Sequence, residues 1–163
     1  VSGPPAGSYC ERADYPLVVV TCAGADGERS GCLVGFTTQC SIEPMRFLVC
    51  LSKANHTYQV ATRAPSLAVH LLGAAQHDLA RLFGEETGDE VDKFARCAWH
   101  LEQTGAPILD ECAAFYEGTI LSRLDVGDHV AHLLAPAGGG AGASQGVLSF
   151  QEGRSLEAAH EAD

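Results

Sequence analysis

Short apolar runs separated by turn residues dominate the chain, and their periods predict most of its elements. The run PLVVVTC over 16–22 is β-branched and apolar, which predicts a strand. Asp26-Gly27 marks a turn, and a second strand follows near 31–36 as the other half of a hairpin. RFLVCLS at 46–52 predicts a third strand. NHTYQVATRA at 55–64 opens on Asn55, a good N-cap, and carries helical spacing. SLAVHLLG at 66–73 returns to strand. In AAQHDLARLFG at 74–84, Leu79, Leu82 and Phe83 share one face of a helix that stops at Gly84. A Gly-Pro turn at 105–107 precedes two long strands, 112–126 and 128–136, which Gly127 separates with Asp128 beside it. AGGGAGASQG at 137–146 reads as a flexible loop and VLSF at 147–150 as a last short strand.

Strands outnumber helices and come as hairpins, so the fold class is mainly β, an antiparallel Greek-key barrel with peripheral helices. The 163 residues allow one core. We expect a flexible arm over 1–14, one domain over 15–150 and an acidic flexible tail over 151–163. No G-x-G-x-x-G opens a helix, and there is no P-loop. The first fifteen residues lack the basic start and apolar middle of a signal peptide. No apolar run reaches the roughly 18 residues of a membrane span.

Charge narrows the partners. A net charge of −11, with ten scattered Lys and Arg, argues against nucleic acid, whose phosphates demand clustered cations. The seven cysteines are odd in number and form no C-x-x-C pair, so neither a disulfide framework nor a zinc site is expected. Cys22, Cys32 and Cys50 lie in apolar runs, where a free thiol acts as a small hydrophobe, and this fits a reducing cytoplasm. No histidine has a partner at metal-ligand spacing.

Three segments carry candidate chemistry. In SGCLVGFTTQCSIEP at 30–44, an apolar strand runs into a ribbon of small polar groups, Thr37, Thr38, Gln39, Cys40 and Ser41. This is either a strand exit or a backbone laid along a flat polar ligand. In LSKANHTY at 51–58, Lys53 supplies a cation, while Ser52, Asn55 and Thr57 supply small hydrogen-bonding groups at a predicted helix start, a plausible phosphate seat. The plain alternative makes Asn55 an N-cap and Lys53 a solvated side chain. In GDH at 127–129, His129 begins a strand just past a tight turn, at a barrel rim; a lone histidine there is ordinarily structural or solvated. His132, three residues on, faces the opposite side. By periodicity, QHDLARLF, DKF at 92–94, Trp99 and GAPIL at 105–109 are core and turn residues.

In their order and spacing these segments resemble the flavin reductase-like family of FMN-binding split barrels. The resemblance runs from about Leu17 to Leu134 and rests on the polar ribbon closing in Ser-Ile-Glu-Pro, FLVCLSKANHTY, Q-x-D-L-A-x-x-F, D-K-F, G-x-P-x-L and G-D-H. It implies that the backbone of Gly35, Phe36, Thr37, Thr38, Gln39, Cys40 and Ser41 borders the isoalloxazine ring and ribityl chain. It likewise implies that Ser52, Lys53, Asn55 and Thr57 bind the phosphate, that Phe83 touches the ring, and that His129 faces the flavin where nicotinamide binds. Two departures stand out: Leu33 and Gly35, where many relatives carry Ser, Thr or Asn, and Glu43-Pro44-Met45, where many read Asp-Pro-Pro.

The activity so implied is reduction of FMN or FAD by NADH or NADPH, in a homodimer that feeds reduced flavin to a separate monooxygenase. Two alternatives stay open: an electron carrier with permanently bound flavin, and a split-barrel oxidoreductase acting directly on a small substrate.

Overall fold

The computed structural model describes residues 6–88 and 90–154. In chain order it contains α1 (Gly7–Arg12), β1 (Val18–Ala23), β2 (Arg29–Val34), β3 (Thr37–Ile42), β4 (Met45–Ser52), α2 (His56–Ala61), β5 (Ser66–Leu71) and α3 (His77–Gly84). A 3-10 turn at Lys93–Arg96 follows, then β6 (Trp99–Leu101), β7 (Pro107–Leu109), β8 (Ala114–Asp125), β9 (His129–Ala141) and α4 (Phe150–Gly153). Seven strands form one sheet in the order β2-β1-β5-β8-β9-β4-β3, while β6 and β7 pair with each other.

The two edge strands of that sheet are consecutive in the chain, joined only by Gly35 and Phe36. Laid flat, strands about 4.8 Å apart would hold the two edges about 29 Å from each other. The three peptide steps from Val34 to Thr37 span at most about 11 Å. The sheet must therefore roll up, giving a barrel that is split between β2 and β3.

Burial explains the sequence pattern of β1. Val18, Val20 and Cys22 face the barrel core with Cys32, Val49, Leu51, Leu67, Val69 and Leu134, and α2 closes that core with Val60 and Ala61. Leu17 and Val19 belong to a second core, made with Leu79, Leu82 and Phe83 of α3, Phe94, Leu109 and Leu148. A strand buried on both faces reads as a continuous apolar run rather than an alternating one. His70 on β5 ties the layers together. Leu109 N–H donates to its Nε2 at 3.1 Å, so the ring proton is on Nδ1, 2.9 Å from the Val19 carbonyl that accepts it.

Four sequence expectations are corrected. The polar ribbon at 37–42 is a strand in its own right. The helix expected over 55–64 is shorter, because Pro65 disfavours helical geometry at Ala64; Arg123 there donates to the carbonyls of Ala61 at 2.8 Å and Ala64 at 3.0 Å. The loop expected over 137–146 is strand as far as Ala141, with Gly138, Gly139 and Gly140 paired to Glu117, Tyr116 and Phe115. A Cβ on Gly139 would come within 2.8 Å of the Phe115 carbonyl oxygen, so glycine here permits close approach rather than flexibility. Finally, 147–150 is not a strand. It makes one bridge, Ser149 to Pro16, and then opens α4, where Ser149 and Glu152 form a capping box.

Within the expected arm, α1 is helical, and Gln151 Nε2 donates to the carbonyls of Glu11 and Ala13. Residues 1–5 of the expected arm, Asp89, and residues 155–163 of the expected tail lie outside the described residues. No helix among the described residues is long and apolar enough to cross a membrane.

Candidate functional site

The candidate residues fall into two groups, the first at the rim where β4 ends and β9 begins. Ser52 closes β4 and pairs with His129, the first residue of β9. The Lys53 backbone N–H donates to the Asp128 carbonyl at 2.9 Å, and its Nζ donates to Asp125 Oδ2 at 2.6 Å. That side-chain bond is the main cause holding the Asp125 carboxyl below its ordinary value. The His129 ring lies 5.3 Å from the Phe36 ring between centroids. Its Nδ1 is 2.6 Å from Asp128 Oδ1. A carboxylate can only accept, so Nδ1 carries the proton, the ring is fixed in orientation, and the Asp128 carboxyl is lowered in turn.

Phe36 is 51% exposed, an open aromatic face beside this histidine. Behind it, Tyr15 stacks on Phe150 at 4.7 Å and reaches Phe36 at 6.2 Å. A Cβ on Gly35 would come within 3.2 Å of both Tyr15 and Phe150. The departure at 35 thus has a steric cause: the aromatic pair occupies the space a side chain would need.

The polar ribbon is the outer edge of the sheet. β3 has only β4 as a neighbour, so alternate main-chain N–H and C=O groups point away from the ladder, open to a ligand. Cys40 lies in a bulge between Gln39 and Ser41. Thr37 Oγ1 donates to the Leu48 carbonyl at 2.9 Å and Gln39 Nε2 to the Ser41 carbonyl at 3.1 Å. Thr37, Thr38 and Gln39 also border a cavity of about 280 Å³ whose other walls include Val18, Val69 and Tyr116.

The second group lines a cleft of about 100 Å³ beside α2 and the end of α3, where Asn55, Thr57 and Phe83 meet Cys32, Leu33 and Lys93. Thr57 is buried, with its Oγ1 2.9 Å from Ser30 Oγ. Asn55 makes no side-chain capping bond, so its amide is not engaged by the helix. Phe83 is buried and meets Phe94 edge-on at 5.8 Å, so most of its surface belongs to the core. Burial also pushes the Cys32 thiol up to about 11 and that of Cys22 up to about 12, which keeps both protonated and inert.

Phe36, Ser52, Lys53 and His129 thus lie together at the rim, and Asn55, Thr57 and Phe83 in the cleft. The segments 33–36 and 52–57 connect the two groups. Sequence reasoning missed three participants. Tyr15 and Phe150 meet only through long-range pairing, in which Phe150 N–H donates to the Tyr15 carbonyl at 2.8 Å. Lys93 lies in the DKF segment at 92–94, which periodicity assigned to core and turn.

A family model described as the flavin reductase like domain matches residues 11–152. The chain belongs to this family. It is 34% identical over 115 residues to the FMN reductase (NADH) of Bradyrhizobium diazoefficiens, covering 68% of this chain and 61% of that protein. It is 32% identical over 120 residues to the stachydrine N-demethylase reductase subunit of Rhizobium meliloti, covering 71% and 50%. The chain therefore spans only half to about three-fifths of the length of these curated relatives. Among solved structures, the NADH:FAD oxidoreductase of Streptomyces globisporus superposes with a TM-score of 0.81 at 28% identity, over 90% of this chain and 86% of that one. The rolled, split sheet is the barrel of this flavin reductase-like family.

Proposed function

We propose that the chain is a flavin reductase that transfers hydride from NADH or NADPH to FMN or FAD. The observation that carries this reading is the rim: His129, fixed by Asp128, faces the exposed ring of Phe36 at the end of the polar edge strand. Family membership and the names of the relatives support it. When both nucleotides are bound, they supply the redox chemistry, a hydride passing from nicotinamide C4 to flavin N5.

The chain's own residues then bind and align. The free main-chain groups of Thr37 to Ser41 suit the alternating donors and acceptors along a flat heteroaromatic edge. Gly35 lets the aromatic pair behind that edge close up. Asn55 and Thr57 offer neutral donors in the cleft to the ligand's polar end, with an edge of Phe83 in its wall and Ser52 at the rim. His129 orients a ring at the rim. Two rings held at near-attack distance need alignment more than a base.

We further propose a homodimer. Exposed apolar residues line the outer end of β8 at Leu121 and Leu124, the turn after it at Val126, and the β3–β4 hairpin at Ile42 and Met45, and a second copy would cover them. The reading extends to service of a separate monooxygenase, supported by a relative that is named a reductase subunit. It also extends to a cytoplasmic setting, supported by the unpaired, buried thiols Cys22 and Cys32.

Mixing the purified protein with FMN and NADH, and following the near-ultraviolet absorbance of NADH, tests the central claim. Steady consumption of NADH in excess of protein is expected. A protein that binds flavin yet never consumes NADH or NADPH would be a carrier instead.

A further inference from the structure

Terminal segments of a domain fray unless something ties them down, and here the segment before β1 and the segment at 148–151 are tied to each other. Leu17 N–H donates to the Leu148 carbonyl at 2.9 Å and Phe150 N–H to the Tyr15 carbonyl at 2.8 Å. Gln151 N–H donates to Asp14 Oδ1 at 2.9 Å. Ser149 bridges to Pro16, and its capping box with Glu152 fixes the start of α4 at Phe150. Together these bonds hold the Tyr15 and Phe150 rings in a stack at 4.7 Å, with planes inclined by 27°.

That stack lies directly behind the rim. Residue 35 is glycine, and a Cβ there would come within 3.2 Å of each ring, so the pair packs against the bare backbone of the β2–β3 joint. The next residue is Phe36. Its ring has two aromatic neighbours, Tyr15 at 6.2 Å inclined by 54° and His129 at 5.3 Å inclined by 57°.

Phe36 depends on such neighbours for its orientation. It is 51% exposed, so burial does not fix the ring. The joint that carries it is two residues long, and one of them is glycine, the most permissive backbone. Its carbonyl accepts from Cys50 N–H at 2.9 Å, which holds the main chain and leaves the side-chain rotamer open. Ring pairs at these separations prefer tilted or offset arrangements, so Tyr15 and His129 select one orientation of the phenyl ring. Hydride transfer between two rings is steep in their alignment, and a misplacement of about 1 Å costs about 100-fold. An open phenyl ring at the rim guides a ligand only as well as it is itself held.

We propose that Tyr15 and Phe150 are positioning residues, which align the reacting rings at the rim by holding Phe36 in place. This rests on the flavin reading above. It gives the two terminal segments, neither of which touches His129 through a recorded ring contact, a part in the rate of hydride transfer.

The test is stopped-flow reduction of bound FMN at saturating NADH. Phe150→Leu and Tyr15→Leu are each measured in the parent protein and in Phe36→Ala, as double-mutant cycles. Each leucine variant should slow hydride transfer about 3- to 10-fold in the parent, the equivalent of one aromatic contact, and no further in Phe36→Ala. Tyr15→Phe keeps the ring and should keep the parent rate. Unfolded protein lowers the amplitude of such a trace and not its rate constant, so a purely structural role leaves the rate constant where it was.

A parent rate constant in Phe36→Ala or in either leucine variant overturns the proposal while the flavin reading stands. So does a leucine variant that slows transfer equally with and without Phe36, or a Tyr15→Phe variant as slow as Tyr15→Leu, which would assign the effect to the hydroxyl. If one leucine variant fails to fold, the other carries the prediction from the opposite terminal segment; failure of both assigns the pair to stability alone and overturns the proposal. A parent protein that never passes hydride to bound FMN overturns the flavin reading and this proposal with it.

Discussion

The rings of Phe36 and His129 lie 5.3 Å apart with planes inclined at 57°, and they meet across the end of β4, Phe36 coming from the β2–β3 joint on one side and His129 from the start of β9 on the other. Asp128 fixes the imidazole from behind, at 2.6 Å. A histidine so held can align a neighbouring ring without exchanging its proton. His129→Ala should therefore lower the NADH-dependent rate about 10- to 100-fold, the penalty for misaligned reactants, and change flavin affinity much less. Stopped-flow reduction of bound flavin measures this. An unchanged hydride-transfer rate at saturating NADH, together with unchanged nicotinamide affinity, removes His129 from the site.

His70 makes stability depend on pH. Burial drops its value from 6.5 to about 4 in the folded chain, with the Val19 carbonyl opposing the shift. Between those values the unfolded chain binds the extra proton and the folded chain does not, so stability falls as pH drops from 6.5 toward 4. The fall is about 3 kcal/mol for this group. His132, also lowered mainly by burial, acts in the same direction. Urea midpoints measured across this window should show the loss, and His70→Gln should flatten the slope. An equally steep slope in that variant would assign the effect to other groups.

Arg123 anchors the end of the helix that closes the barrel, through the carbonyls of Ala61 and Ala64. Arg123→Met should cost about 1.5–3 kcal/mol in urea denaturation, the range for hydrogen bonds from a charged group. A cost below the error of the measurement would mean that water replaces the guanidinium freely.

The proposed dimer predicts a sedimenting mass of twice the 17.1 kDa chain. Leu124 on β8 is 65% exposed, and Leu124→Asp should shift the equilibrium toward monomer by placing a charge in the contact. A parent protein that sediments as a monomer at micromolar concentration excludes the dimer.

Much of this was legible locally. The run at 16–22, the helix over 77–84 and the hairpin around Gly127 follow from patterns a few residues long, because backbone geometry and burial impose their periods over that distance. The rim histidine was legible too, as a residue placed by a tight turn at the start of a strand. Composition misled at 137–141, where glycines make a strand: whether glycine loosens a chain or lets two strands touch depends on the partner, and the partner, β8, is set by the sheet. The role of Gly35 was hidden for the same reason, since Tyr15 and Phe150 reach it from the two ends of the domain. The surroundings of the two lysines were the furthest from view: Coulomb attraction acts through space, and only the rolled sheet gives Lys53 to Asp125 and buries Lys93 in the cleft that Thr57 also lines.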